Sequence, residues 1–304
     1  MEQLTQTLKD GNMQLMEVPF PALLPGCLLI RNHYSIISPG TEGKTVKDAR
    51  LSYIGKAKAR KEEVKKVITS ARTFGVLKTY NMVMNKLEAY SPLGYSCAGE
   101  VVAMADDVRG FEIGDFVACG GNTAGHSEIV CIPVNLCVKV KKDTSLKDAA
   151  FATMGAIALQ GVRQSELKLG ESCLVIGLGV IGQLTNQLLE AAGVKTIGID
   201  IDENQVNFAK GQKTKLIYNR NHPDLESIIA EATGGHGVDA VIITASTSSL
   251  DPIEFAGQVC RKKGKVIIVG AVPTGFSRKN YFKKELDLRM SSSYGPGRYE
   301  SNYE

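Results

Sequence analysis

Residues 173–193 read CLVIGLGVIGQLTNQLLEAAG, and this stretch decides the fold of the chain around it. Three glycines, Gly177, Gly179 and Gly182, form a G-x-G-x-x-G pattern directly after an apolar strand and at the start of a helix. In that context the pattern predicts a dinucleotide-binding loop. The first glycine permits the tight turn, the second lets the backbone approach a pyrophosphate, and the third lets the helix pack on the strand.

The sequence after residue 143 alternates helices with apolar strands. It first predicts one helix over 144–167, capped by Thr144 or Ser145. The strands are SCLVIG, VKTIGID, KLIY, VDAVIITA, GKVIIVGA and ELDLRM. Near-continuous apolar strands are typical of a parallel sheet that is buried on both faces. We therefore predict a doubly wound nucleotide-binding domain over residues 156–295.

Asp200 ends the second of these strands, eighteen residues after Gly182. A carboxylate there accepts hydrogen bonds from both ribose hydroxyls and repels a 2′-phosphate, so NAD(H) is preferred over NADP(H). Ligands bind outside the carboxyl ends of parallel strands, which adds the ends of the fourth and fifth strands to the site. The predicted cofactor-binding residues are Gly177, Gly179, Val180, Ile181, Gly182, Asp200, Thr244, Ala245, Gly270 and Ala271.

Residues 1–155 follow a different pattern. Short strands with Gly and Pro turns, before residue 40 and over 91–140, predict a compact β unit. Residues 44–90 contain no proline and repeat apolar positions at helical spacing, which predicts two or three helices broken near Gly75. The chain carries a net charge of +4, yet Lys44–Glu88 contains twelve Lys/Arg against four Asp/Glu, a balance of +8. This basic insertion is either a solvated helical face or a surface for nucleic acid or a phosphorylated substrate.

The sequence shows no signal of a membrane span or of secretion. No apolar run approaches the length of about 20 residues that spans a bilayer, and the N-terminus lacks a secretory pattern. The seven cysteines are an odd number without a CxxC pair. We expect reduced thiols in a cytoplasmic protein, and no disulfide framework.

The two halves together resemble the medium-chain dehydrogenase/reductase superfamily. The motifs that carry the resemblance are GTE at 40–42, LGYSCAGEVV at 93–102, IGDFVA at 113–118, and AFATMGAIALQGV followed by GESCLVIGLGVIG. The resemblance implies an α/β chain with a GroES-like β-barrel domain over 1–155, a helical insertion over about 44–90, and a Rossmann domain. It also implies hydride transfer between a nicotinamide and an alcohol or carbonyl.

The zinc ligands of that superfamily have no match in this sequence. Where its zinc enzymes carry a cysteine, a Gly-His-Glu and a third ligand, this chain has Pro39 or Ser38, then Gly94-Tyr95-Ser96, then Ala152 or Thr153. Proline and alanine offer no donor, and tyrosine is an uncommon zinc ligand. A four-cysteine lobe is missing as well. We expect no catalytic zinc; the alternative is a makeshift site at Cys97 and His126.

Hydride transfer without zinc needs hydrogen-bond donors for the substrate oxygen. Thr41, in YSIISPGTEGK at 34–44, matches the hydroxyl that relays a proton in the zinc enzymes, and Tyr95 is the second candidate. The alternative for Tyr95 is a packed aromatic ring in the space of the lost zinc. Ser38 is a weaker candidate, and Glu42 is expected to fix the turn.

A closer resemblance is to the bi-domain oxidoreductases, which join such a module to one of the glucose–fructose oxidoreductase type. It is carried by the insertion ending in NKLEAYSPLGYSCAGE and by SSSYGPGRYESNYE. It implies that 296–304 begin a truncated segment, that a second module is missing, and that the substrate is a phosphorylated or nucleotide-linked sugar. The edge strand ELDLRMSSS predicts a homodimer.

Two other functions stay open at this point. The chain could bind NAD without chemistry, as a sensor or a scaffold, or it could be a zinc-free enone or quinone reductase. Nucleic-acid binding is not expected, because the basic insertion lacks interleaved aromatic residues.

Overall fold

The computed structural model describes residues 1–52, 55–57, 61–212, 214 and 216–300. The chain divides into two compact units, Met1–Thr153 and Met154–Glu304. The elements of the first unit are β1 (Glu2–Thr7), β2 (Met13–Glu17), β3 (Cys27–Ser35), α1 (Thr41–Ala49), α2 (Lys61–Phe74), α3 (Val76–Glu88), β4 (Tyr90–Pro92), β5 (Ser96–Met104), β6 (Phe116–Gly120), β7 (Ile129–Pro133), a 3-10 turn (Val134–Leu136), β8 (Cys137–Lys139) and α4 (Leu146–Ala149).

The first unit is built on two antiparallel sheets. Their strand orders are β2-β1-β4 and β7-β3-β5-β6-β8. Alternate side chains of the larger sheet, among them Leu28, Ile30, Val101 and Val117, are fully or almost fully buried in one hydrophobic core. The two-period burial follows from the pleat of a strand, which turns successive side chains to opposite faces.

The helical insertion begins earlier than the sequence predicts. Helix α1 begins at Thr41, inside the segment expected to be a turn before residue 44. Its start is held by two reciprocal bonds: the Ser38 N–H donates to Glu42 Oε1 (2.7 Å), and the Glu42 N–H donates to the Ser38 carbonyl (2.9 Å). Reciprocal capping of this kind satisfies N–H groups that a helix start otherwise leaves free. The predicted break near Gly75 is confirmed, since Gly75 has φ +83° between α2 and α3.

The second unit alternates strands and helices around a parallel sheet. Its elements are α5 (Ala152–Ser165, which begins two residues before the unit), β9 (Ser172–Ile176), α6 (Val180–Ala191), β10 (Lys195–Asp200), α7 (Glu203–Lys210), β11 (Leu216–Asn219), α8 (Leu225–Ala232), β12 (Val238–Ile243), α9 (Asp251–Val259), β13 (Cys260–Ile268), α10 (Arg278–Lys284), β14 (Asp287–Met290) and a 3-10 turn (Pro296–Arg298).

The six strands lie in the order β11-β10-β9-β12-β13-β14 and are all parallel. Along β9, Leu174 and Ile176 belong to one buried cluster, while Cys173 and Val175 belong to another. Both faces of the sheet are therefore covered, and the predicted α/β class with a Rossmann-type sheet is confirmed.

The single helix predicted over 144–167 is wrong in its continuity. Ser145 caps α4 by accepting from the Asp148 N–H, but that helix ends at Ala149, and α5 begins at Ala152. The buried Ser96 hydroxyl donates to the Ala150 carbonyl at 2.6 Å. This bond joins the segment between α4 and α5 to β5.

All seven cysteines are free thiols. In the part of the chain that the structure describes, no helix has the length and apolar character needed to cross a bilayer.

Candidate functional site

The loop after β9 contains two positions at which only glycine fits. Gly177 has φ +101°, and a Cβ there would lie 2.7 Å from the Ala245 nitrogen. A Cβ on Gly182 would lie 1.9 Å from the Gly177 carbonyl oxygen. Side chains at either position would force the loop away from β12 or α6 away from the loop.

Gly179 differs from these two glycines. Its φ of −67° is open to any residue, and a Cβ there would meet nothing within 4 Å. The first bond of α6 runs from the Gln183 N–H to the Gly179 carbonyl (2.9 Å), so the N–H groups of Val180, Ile181 and Gly182 precede the helical ladder. Such N–H groups and the positive end of the helix dipole bind phosphate groups.

Asp200 lies at the end of β10 against this loop. Its carboxylate accepts the Leu178 N–H at 2.6 Å and the Asp202 N–H at 2.9 Å, and the residue is half-buried. A carboxylate offers about four acceptor positions, so two remain for further donors. Two free acceptor positions suit the two hydroxyls of a ribose.

The ends of β12 and β13 lie beside the same loop. The Thr244 hydroxyl donates to the Gly177 carbonyl at 2.7 Å, and a Cβ on Gly270 would lie 2.0 Å from the Ala245 carbonyl oxygen. Ala271 is exposed, and its carbonyl accepts the Thr247 N–H at 3.0 Å. The ten predicted cofactor residues therefore share the carboxyl edge of one sheet.

A second polar cluster lies in the first unit. His126 Nε2 is 2.8 Å from Glu42 Oε2, and His126 Nδ1 is 2.8 Å from the Ser35 hydroxyl. The side chains of His126 and Glu42 are only 9% and 10% exposed. The sequence suggested neither the pairing nor its place, because 84 residues separate the two partners.

The carboxyl group of Glu42 is held in its charged form. Burial by itself raises the pKa of this carboxyl, but hydrogen bonds from His126 and from the backbone N–H groups of Ser38 and Gly94 lower the pKa below its ordinary value. Because hydrogen bonds to the charged form favour it, the cluster contains a buried carboxylate rather than a carboxylic acid.

The two predicted proton donors flank this cluster. Thr41 is exposed as the first residue of α1, next to Glu42. Tyr95 is half-buried in the loop before β5, next to Gly94, and its carbonyl accepts the Gly121 N–H at 3.1 Å. Glu42 therefore joins the segments that carry the two residues.

The residues at the zinc-ligand positions do not fit a zinc ion. The Ser96 hydroxyl donates to the Ala150 carbonyl, and the Thr153 hydroxyl donates to the Cys119 carbonyl. The Pro39 side chain has no atom that can bind a metal ion. Cys97 is fully buried in the core and His126 is paired with Glu42, so the makeshift site is not assembled. Over the described ranges, no three or more His, Cys, Asp or Glu side chains lie close enough together to hold a metal ion.

The glycine loop, the parallel strand order and the antiparallel first unit together give the α/β fold of a two-domain dehydrogenase. A family model described as zinc-binding dehydrogenase matches residues 180–303. That match lies within the nucleotide-binding unit and includes none of the zinc-ligand positions.

Several known proteins are similar to this chain in sequence or in fold. The chain is 29% identical to L-arabinitol 4-dehydrogenase of Aureobasidium melanogenum over 66% of its length and 64% of that protein. It is 28% identical to D-guloside 3-dehydrogenase of Escherichia coli over 55% of its length and 49% of that protein. Galactitol-1-phosphate dehydrogenase from Escherichia coli has a similar fold, with a TM-score of 0.75 at 17% identity, over 96% of this chain and 83% of the other.

The family model and these relatives support the medium-chain dehydrogenase/reductase superfamily for this chain. Its sequence matches cover between about half and two thirds of the length of these two curated relatives.

Proposed function

We propose that this protein is an NAD(H)-dependent oxidoreductase that acts on an alcohol or carbonyl of a sugar-like substrate without catalytic zinc. The observation that carries the proposal is the open side of Gly179 at the start of α6, with Asp200 bonded to the same loop at 2.6 Å. A pyrophosphate suits the helix start, and a ribose diol suits the free acceptor positions of the carboxylate.

The preference for NAD(H) is supported by charge near Asp200. A 2′-phosphate would meet the Asp200 carboxylate, with Asp202 two residues further along the chain. The Arg220 backbone N–H donates to the Asp200 carbonyl, but the Arg220 guanidinium binds Asp251 with two bonds of 2.8 and 3.0 Å. It also stacks on Phe255 at 3.8 Å. An arginine held in this way is not free to bind a phosphate.

The role of this chain's own side chains is proton transfer. A nicotinamide cofactor held at the glycine loop would supply the hydride acceptor or donor. The Thr41 hydroxyl and the Tyr95 phenol are the groups that hydrogen-bond the substrate oxygen and transfer its proton. The names of the two curated relatives support a polyol or sugar as the substrate class.

The remaining parts of the proposal concern partners and location. Exposed lysines on α2 and α3, such as Lys65, Lys66 and Lys78, favour an anionic substrate such as a phosphorylated or nucleotide-linked sugar. β14 lies at one edge of the six-stranded sheet, where a second copy could pair with it to form a homodimer. A cytoplasmic location fits the seven free thiols.

A fluorescence titration with NADH and, separately, NADPH tests the cofactor assignment. The chain has no tryptophan, so the nicotinamide emission is free of that background. Asp200→Asn should weaken NADH binding by roughly 10- to 150-fold, because hydrogen bonds to a charged group contribute about 1.5–3 kcal/mol. It should also narrow the difference between NADH and NADPH.

Asp202→Asn is the matched control. Its side chain accepts the Asn204 N–H as the cap of α7, a role that asparagine keeps, so its NADH affinity should stay close to wild type. Zinc is measured in the same samples. Equal binding of NADH by the wild type and Asp200→Asn contradicts the ribose assignment, and one zinc per chain contradicts the metal-free reaction.

A further inference from the structure

We propose that His126 and Glu42 form a lock that positions the two proton donors, Thr41 and Tyr95, for catalysis. The proposal rests on the proposed function, because the two donors act only if the chain is an oxidoreductase. It assigns His126 as a positioning residue, a role that its sequence context does not suggest.

The Glu42 carboxylate joins three segments that are distant in the sequence. It accepts the Ser38 N–H at 2.7 Å, the Gly94 N–H, and His126 Nε2 at 2.8 Å. These donors come from the start of α1, from the loop before β5 and from the loop before β7. Two of the three segments carry the proposed proton donors.

The loop around His126 lies directly against the loop around Tyr95. The His126 N–H donates to the Leu93 carbonyl at 2.8 Å. Gly94 has φ +95°, and a Cβ there would lie 2.8 Å from the His126 nitrogen and 2.9 Å from Nδ1. A shift of the imidazole therefore moves Gly94, the residue before Tyr95. It also moves Glu42, the residue after Thr41.

The choice of residues argues for more than packing. Burying a carboxylate costs desolvation energy that an apolar side chain of similar volume avoids. A buried carboxylate that accepts hydrogen bonds from three segments instead fixes how these segments are oriented. Catalysis requires such a fixed geometry. Misplacing a reacting group by about 1 Å costs on the order of 100-fold in rate.

The two ring nitrogens of His126 have separate partners, which makes the lock testable. A carboxylate only accepts hydrogen bonds, so Nε2 carries the proton towards Glu42, while Nδ1 faces the Ser35 hydroxyl. The amide nitrogen of glutamine reaches the place of Nε2, and that of asparagine reaches the place of Nδ1. His126→Gln therefore keeps the bond to Glu42, and His126→Asn keeps only the side towards Ser35.

The experiment compares these two variants with His33→Asn, an exposed histidine of β3 outside the lock. Three experiments are run on the full chain: steady-state kinetics of polyol oxidation with NAD⁺ (kcat and KM), an NADH titration for the dissociation constant, and hydrogen exchange at the Ser38 and Gly94 amides. We expect His126→Asn to lower kcat on the order of 100-fold with little change in KM. Its two amides should exchange faster, and its NADH affinity should stay unchanged.

His126→Gln should keep a much higher kcat than His126→Asn, and both of its amides should still exchange slowly. His33→Asn should match the wild type in every measurement. Equal losses in the two His126 variants, or slow exchange at both amides in His126→Asn, overturn the lock. If the wild type fails to bind NADH, the proposed function fails, and the positioning role fails with it. The exchange rates still show in that case whether the bond to Glu42 holds the two segments.

Discussion

Alanine at Gly179 and alanine at Gly182 should separate cofactor binding from folding. The two glycines are three residues apart in one loop, yet their surroundings differ. A methyl group on Gly179 enters open space, whereas one on Gly182 lies 1.9 Å from the Gly177 carbonyl oxygen and 3.0 Å from Thr244 Oγ1. The same chemical change therefore tests two physical effects.

Gly179→Ala should fold at least as well as the wild type. Its backbone angles, φ −67° and ψ −170°, suit alanine. The substitution lowers the entropy of the unfolded chain, which is worth about 0.4–1 kcal/mol. NADH binding should still weaken by at least about 10-fold, because the methyl group fills the space through which a pyrophosphate reaches the N–H groups of α6. Losing one charge-assisted hydrogen bond costs about 1.5–3 kcal/mol.

Gly182→Ala should instead lose thermal stability. Overpacking of a fitted site costs typically about 1–3 kcal/mol. For a unit of the size of Met154–Glu304, each kcal/mol lowers Tm by about 2–4 °C, so we expect a loss of roughly 2–12 °C. Thermal unfolding by circular dichroism and the NADH titration are run on both variants. Normal NADH affinity in Gly179→Ala, or equal Tm losses in the two variants, would refute the assignment of the open side of the loop to a phosphate.

Two further predictions concern stability. The pKa of Glu42 is lowered from its ordinary value of 4.5, so the stability that its carboxylate provides is complete above that pH and is lost as the pH falls through the lowered pKa. Glu42→Gln should cost about 1–3 kcal/mol at pH 7, with a gap to the wild type that shrinks below pH 4.5 in denaturant titrations; a constant gap down to pH 2 would contradict this. The Lys284 ammonium donates to three carbonyls at the end of α9. Lys284→Met should therefore cost about 1–3 kcal/mol and lower Tm by about 2–12 °C, while the exposed Lys283→Met should not; equal Tm values would rule out this cap.

Local sequence was enough where the structural requirement is itself local. The glycine spacing at 177, 179 and 182 lies within six residues, and the strand before it and the helix after it follow from apolar periodicity. The six strands of the second unit and the break at Gly75 were predicted for the same reason. A turn, a strand or a helix depends mainly on residues within a few positions of one another.

The remaining features depend on partners that are distant in the sequence. The helix over 144–167 is divided near Ala150, whose carbonyl accepts the Ser96 hydroxyl from 54 residues away. His126 meets Glu42 across 84 residues, and no periodicity or spacing encodes that contact. The class of fold and the glycine loop thus follow from the sequence. Only the tertiary structure decided how the buried carboxylate is paired, because that pairing exists only once the strands of the first unit have packed.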